Sequence, residues 1–165
     1  MILKNLSKNF YINLILTLLI FALDRVTKIY AINLSNNNSI SEIFSSEFLN
    51  IILVWNEGIA FGLFSFEQSK LYNFLTIIIF IIILFVFIMM NKNIGSKKYA
   101  LLMIFGGAIG NLYDRVIFKA VPDFIDFHIG ELHWFIFNVA DIFITMGVIF
   151  MILLELIDIS KRSHE

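Results

Sequence analysis

The sequence contains no cysteine and a single proline, Pro122, in 165 residues. Without cysteine there is no disulfide, no thiol nucleophile and no thiolate metal site. Charge is scarce as well. Asp, Glu, Lys and Arg make up 15% of the chain, where a soluble domain carries about 25%. There is no Gly-rich phosphate loop. The net charge of −1 comes with no basic stripe to follow a phosphate backbone, so nucleic acid is not an expected partner. What fills the chain is apolar: 59% of residues are hydrophobic and the mean hydropathy is +0.88. A soluble surface cannot be built from that composition, so the expected class is an all-α integral membrane protein, one domain over 1–165.

Four apolar stretches set the layout, at about 9–31, 71–90, 99–115 and 134–157. About 20 residues at 1.5 Å each cross the hydrocarbon. The third stretch is short by that measure and is closed by Asp114 and Arg115. The first follows Lys4 and Lys8 like a signal peptide, but no small-residue cleavage site comes after it, and it reads as a retained helix. Lysine and arginine then orient the bundle. Lys4 and Lys8, the Lys92, Lys97 and Lys98 link, and Lys161 with Arg162 share one side, which the positive-inside rule makes cytoplasmic, with both termini. Segments 32–70 and 116–133 are then the outer ones. Within the first, FLNIILVWN (48–56) is a β-type run followed by Gly58 and Gly62, which suggests a small extracytoplasmic β-cradle on a four-helix bundle.

Against this background the stretch from Phe105 to Asp141 stands out. It gathers Asn111, Asp114, Arg115, Asp123, Asp126, Asn138 and Asp141. An ionisable residue within a span costs on the order of 2.5–3.5 kcal/mol even on lenient scales, so it is a functional candidate by default. Asn111-x-x-Asp114 ends the third span and Asn138-x-x-Asp141 begins the fourth. Residues three apart share a helix face, and consecutive helices bring these two faces to the same side. Asn111 lies ~18 Å along its helix and Asp141 ~24 Å from the far end of its own, which places the cluster near the outer boundary. Pro122 holds Val121 extended and lets Asp123 swing over Asp141. Two adjacent carboxyls tend to share one proton, so one accepts a proton from water while the other donates to a scissile carbonyl or leaving amine.

Other readings of the same residues remain. Asp141 paired with Arg115 would only pin two helices. An acidic cluster could relay protons or cations in a small transporter, although transport sites usually lie near the midplane. Asp123, Asp126, His128 and His133 lie within eleven residues and could bind a divalent cation, but their spacing matches no zinc helix motif. Asp24, Arg25 and Lys28 at the outer end of the first span add a polar wall or simply snorkel to the interface.

Five segments in order, DRVTK (24–28), NEGIAFG (56–62), GGAIGNLYDRV (106–116), PDFIDF (122–127) and FNVADIFI (137–144), resemble the bacterial lipoprotein signal peptidase family, signal peptidase II. The resemblance implies an intramembrane aspartyl endopeptidase in the cytoplasmic (inner) membrane. It would remove the signal peptide from diacylglyceryl-modified prolipoproteins, cutting before the lipidated cysteine at the outer face. It assigns the catalytic pair to Asp123 and Asp141. It gives supporting roles to Asn56, Gly58, Asn111, Asp114, Arg115 and Asn138, and to Asp24 and Lys28. It implies no cofactor and no metal, contact with membrane lipid, inhibition by the cyclic peptide globomycin, and a monomer.

Overall fold

The computed structural model describes residues 2–38, 42–58 and 69–162. Gly62 lies outside them. Four helices, α1 (Ile2–Asn38), α2 (Ser69–Lys92), α3 (Gly95–Phe118) and α4 (Val139–Arg162), are each long and apolar enough to cross a membrane. α2 has no charge between Lys70 and Lys92 and turns Phe74, Ile77, Ile81 and Phe85 outward, as a lipid-facing helix does. α3 is the central helix. It packs against the other three, and 44% of its span is buried, against 6–17% for theirs.

Small residues allow that central position. A Cβ on Gly107 would lie 2.5 Å from the Ala140 carbonyl oxygen, and one on Gly147 would lie 2.7 Å from that of Ala100. The α3 and α4 backbones therefore touch almost directly, the close approach that small-x-x-x-small patterns permit in membranes. Nearer the other end, Met90, Leu101 and Leu102 form a buried cluster with Leu16, Phe105 and Met151 around it. There Lys97 bridges α3 to Glu155 and Asp158 of α4 at 2.9 and 2.7 Å.

At the opposite end lies an antiparallel sheet in the order β1 (Glu42–Ser45), β2 (Leu49–Asn56), β3 (Val121–Ile129), β4 (Leu132–Phe137). The β-type run of 48–56 is thus β2. Pro122 sits near the start of β3, opposite Trp55 of β2. β4 joins β3 only from Ile125 onward, so proline's missing N–H leaves no gap on that side.

Three span boundaries differ from expectation. α1 extends to Ile2 and Asn38, beyond 9–31, because no helix breaker interrupts the polar residues flanking its apolar stretch. α3 runs past Asp114 and Arg115, the charges expected to end a short 99–115 span, and stops where Lys119 turns left-handed (φ 59). Partners from α1 and from Gly58 accommodate those charges, so the third helix has full spanning length. Conversely, α4 does not include 134–138. Trp134–Phe137 are strand residues, and the helix starts after the Asn138 cap. The segment between α3 and α4 is therefore 119–138, a β-hairpin, and the one between α1 and α2 is 39–68.

Candidate active site

The first layer of the site is an ion cluster between α1 and α3. Lys28 is 1% exposed, and its Nζ donates to Asp24 Oδ2 at 3.1 Å, Asp114 Oδ2 at 2.7 Å and Asn111 Oδ1 at 2.8 Å. Arg25 binds Asp114 through both Nη atoms and Asp24 at 2.7 Å, and its guanidinium stacks 4.9 Å from the Tyr113 ring centre. Two cations thus balance two fully buried carboxylates, the condition under which buried charge is tolerated. Asp24 also accepts the Ala140 backbone N–H at 3.1 Å, which satisfies an amide that the first turn of α4 leaves open. Gly110 makes room for it, since a Cβ there would lie 2.6 Å from Asp24 Oδ2.

The second layer carries the two aspartates. Asn138 caps α4 in a reciprocal box: the Asp141 N–H donates to Asn138 Oδ1 at 3.2 Å, and the Asn138 N–H donates to Asp141 Oδ2 at 3.1 Å. The remaining Asp141 oxygen accepts from Asn111 Nδ2 at 2.8 Å. Asn111 therefore links the Lys28 ammonium to Asp141. Asp123 arrives from β3 and is 4% exposed. It accepts from Asn138 Nδ2 at 2.6 Å and from Asn56 Nδ2 at 2.9 Å. Asn138, wholly buried, is thus hydrogen-bonded to both carboxyl groups. Burial first, and then the charge of Asp141, push the Asp123 pKa up to about 6.

Asn56 Oδ1 accepts the Gly58 N–H at 2.9 Å, and the Gly58 carbonyl accepts from Arg115 Nη2 at 3.2 Å. Arg115 also donates to the Asn111 carbonyl. It forms no salt bridge among the described residues; the ion pairs of the site belong to Arg25 and Lys28. The helix-pinning pair Asp141–Arg115 is therefore not what holds α3 to α4. Asp141 faces a cleft of about 190 Å³ lined by Phe135, Phe137, Ile142, Thr145 and Met146. A larger groove of about 600 Å³, between Tyr30, Leu34, Phe44 and Phe124, is apolar and touches neither carboxyl.

All ten residues singled out in the sequence as site candidates, Asp24, Lys28, Asn56, Gly58, Asn111, Asp114, Arg115, Asp123, Asn138 and Asp141, join one hydrogen-bonded network. Asp126 does not: it pairs with His133 and Asn50 elsewhere on the sheet. Arg25, which the sequence marks only as part of a polar wall, is a central member of the cluster. Gly107 and Gly110 carry no functional group that marks them in the sequence, although Gly106-x-x-x-Gly110 in an apolar helix is itself a packing signal.

Comparison with known proteins identifies the family. The family model described as Signal peptidase (SPase) II matches residues 16–157. The chain is 50% identical over 158 residues to a lipoprotein signal peptidase of Pelagibacter ubique (strain HTCC1062), covering 96% of this chain and 95% of that one. It is 42% identical over 152 residues to one of Anaplasma marginale (strain Florida), covering 90% and 86%. Two solved structures described as bacterial membrane enzymes, each 31% identical, superpose with TM-scores of 0.70 and 0.72. They cover 90% and 87% of this chain, and 90% and 92% of their own. With the family model spanning most of the chain, and relatives this similar over nearly their full length, the chain belongs to the signal peptidase II family, a family of membrane peptidases.

Proposed function

We propose that this protein is an aspartic endopeptidase that hydrolyses the signal peptide from diacylglyceryl-modified prolipoproteins, with Asp123 and Asp141 as the catalytic pair. The observation that carries this reading is Asn138. One buried side chain and its own N–H bond both carboxyls, which fixes them in register with each other and with the start of α4. Arg115 supplies one positive charge that no partner in the ion cluster cancels, and a pair holding one shared proton carries one negative charge to match it.

The ionised carboxylate takes a proton from a water molecule as its oxygen attacks the scissile carbonyl. The protonated carboxyl gives its proton to the carbonyl oxygen, forming a gem-diol. On collapse the C–N bond breaks. The amine takes a proton from the carboxyl that gained one, and a diol hydroxyl returns a proton to the other. No metal or covalent intermediate enters. Asn56, Asn111 and Asn138 orient the pair, Gly58 and Arg115 hold Asn56 and the α3 end, and Asp24, Lys28 and Asp114 anchor Asn111.

The lysines and arginine at the sheet-distal ends, Lys92, Lys97, Lys98, Lys161 and Arg162, support a cytoplasmic location for that end in the inner membrane. The dyad and sheet then face outward, where a lipid-anchored substrate presents its cleavage site. Asp123 and Asp141 come from one chain, in keeping with a monomer, and a globomycin-type cyclic peptide would sit at the dyad. The test is cleavage of a diacylglyceryl-modified precursor by Asp123→Asn and Asp141→Asn proteins that still insert and accumulate. Loss of cleavage in both is expected; full activity in either overturns the assignment.

A further inference from the structure

We propose that Asp126, His128 and His133 form a binding site for a divalent transition-metal cation of the Zn²⁺ class on the sheet, separate from the Asp123–Asp141 pair. His128 on β3 and His133 on β4 are direct cross-strand partners, with ring centres 5.0 Å apart and planes 19° from parallel. Asp126 precedes His128 by two residues, which puts both on one face of the strand. Its carboxylate lies 2.8 and 3.0 Å from His133 Nδ1. The three ligating atoms all fall within 4.8 Å of one another.

Asp126 is 2% and His128 9% exposed, and His128 Nδ1 is buried with no hydrogen-bond partner among the described residues. An orphaned buried nitrogen calls for an occupant, because such groups are otherwise paired. The His133 side chain is 54% exposed, so it leaves an approach from solvent and is free to change rotamer. That freedom matters, since metal–nitrogen bonds of about 2.0–2.1 Å draw the donors closer together than 4.8 Å. Asn50 Nδ2 donates to Asp126 Oδ2 at 3.3 Å and orients the carboxylate from behind, as an outer partner does at metal sites.

The donor set of two imidazole nitrogens and one carboxylate oxygen suits Zn²⁺, Cu²⁺ or Ni²⁺, whereas Mg²⁺ and Ca²⁺ prefer oxygen. The site is about 10 Å of strand away from Asp123, three residues at ~3.3 Å each. A bound cation would clamp β4 to β3, the strand that carries Asp123, and would take no part in hydrolysis.

The experiment uses the full chain without an affinity tag, in detergent micelles after chelator treatment. It is titrated with Zn²⁺, with Co²⁺ as the spectroscopic probe and Mg²⁺ as the control. One equivalent of Zn²⁺ should bind and raise the unfolding temperature, Co²⁺ should show ligand-field bands, and Mg²⁺ should do neither. His133→Ala, at a largely exposed position, should fold normally and weaken Zn²⁺ binding by more than about tenfold. His128→Ala should do the same, and cleavage activity of the His133→Ala protein should be unchanged by chelator. Absence of Zn²⁺ binding, or equal affinity in wild type and His133→Ala, overturns the proposal and leaves a hydrogen-bonded His–Asp pair with a stacked imidazole.

Discussion

Replacing Asp123 by Asn separates what its charge costs from what its shape contributes. Burial and the Asp141 charge hold the Asp123 pKa at about 6 instead of 3.8. A carboxyl whose pKa rises on folding binds its proton more tightly in the folded state. The resulting stabilisation is complete below about pH 3.8 and is lost as pH rises through about 6. At 1.36 kcal/mol per pH unit, the difference between those two values is worth ~3 kcal/mol. Asp123→Asn has no such dependence, but it carries a constant cost. Asn56 and Asn138 both donate to Asp123. A carboxamide offers one acceptor oxygen and one NH2, so one of these donors meets another donor, at about 1–3 kcal/mol. The wild type should therefore be the more stable protein near pH 4. Its advantage should shrink by ~3 kcal/mol, and cancel or reverse, by about pH 8. Thermal unfolding of both proteins in the same detergent across that range measures it. A stability difference that stays constant with pH would mean that folding does not raise the Asp123 pKa.

Three further outcomes are expected. The rate constant kcat/KM should fall as pH rises above about 6, where Asp123 loses its proton, and a pH–rate profile on a lipidated precursor checks this. Lys28→Met removes a cation that holds Asp24, Asp114 and Asn111, so it should destabilise by about 3–5 kcal/mol and lower kcat, read by thermal unfolding and turnover. Gly107→Ala sets a Cβ against the Ala140 carbonyl and must push α4 away, which should cost roughly 1–3 kcal/mol and lower kcat through the adjacent Asp141.

Much of this architecture is legible in the chain itself. Long uninterrupted apolar runs in a chain with little charge leave few alternatives to a helix bundle, and the β-branched and aromatic residues of 48–56 mark β2. The convergence of Asn111, Asn138 and Asp141 follows from helix spacing and from two consecutive helices, whereas Asp123 is brought to them by β3. What the sequence hides is settled by distant partners. Asp114 and Arg115 look like a helix end until Arg25 and Lys28, almost 90 positions earlier, neutralise Asp114. Trp134–Phe137 look like the start of a span because an apolar strand and an apolar helix turn share one composition; only the Asn138-x-x-Asp141 capping box separates them. Asp123 and Asp126 stand three apart in sequence, but on a strand that spacing puts them on opposite faces, one towards the dyad and the other towards His133.

The most direct measurement of the central claim is single-turnover cleavage of a diacylglyceryl-modified precursor by wild type, Asp123→Asn and Asp141→Asn, each shown to be folded in the same membrane or detergent. A catalytic Asp123–Asp141 pair predicts cleavage by the wild type and none above background by either variant, because one carboxyl must take a proton while the other gives one. Wild-type turnover by either folded variant would contradict it.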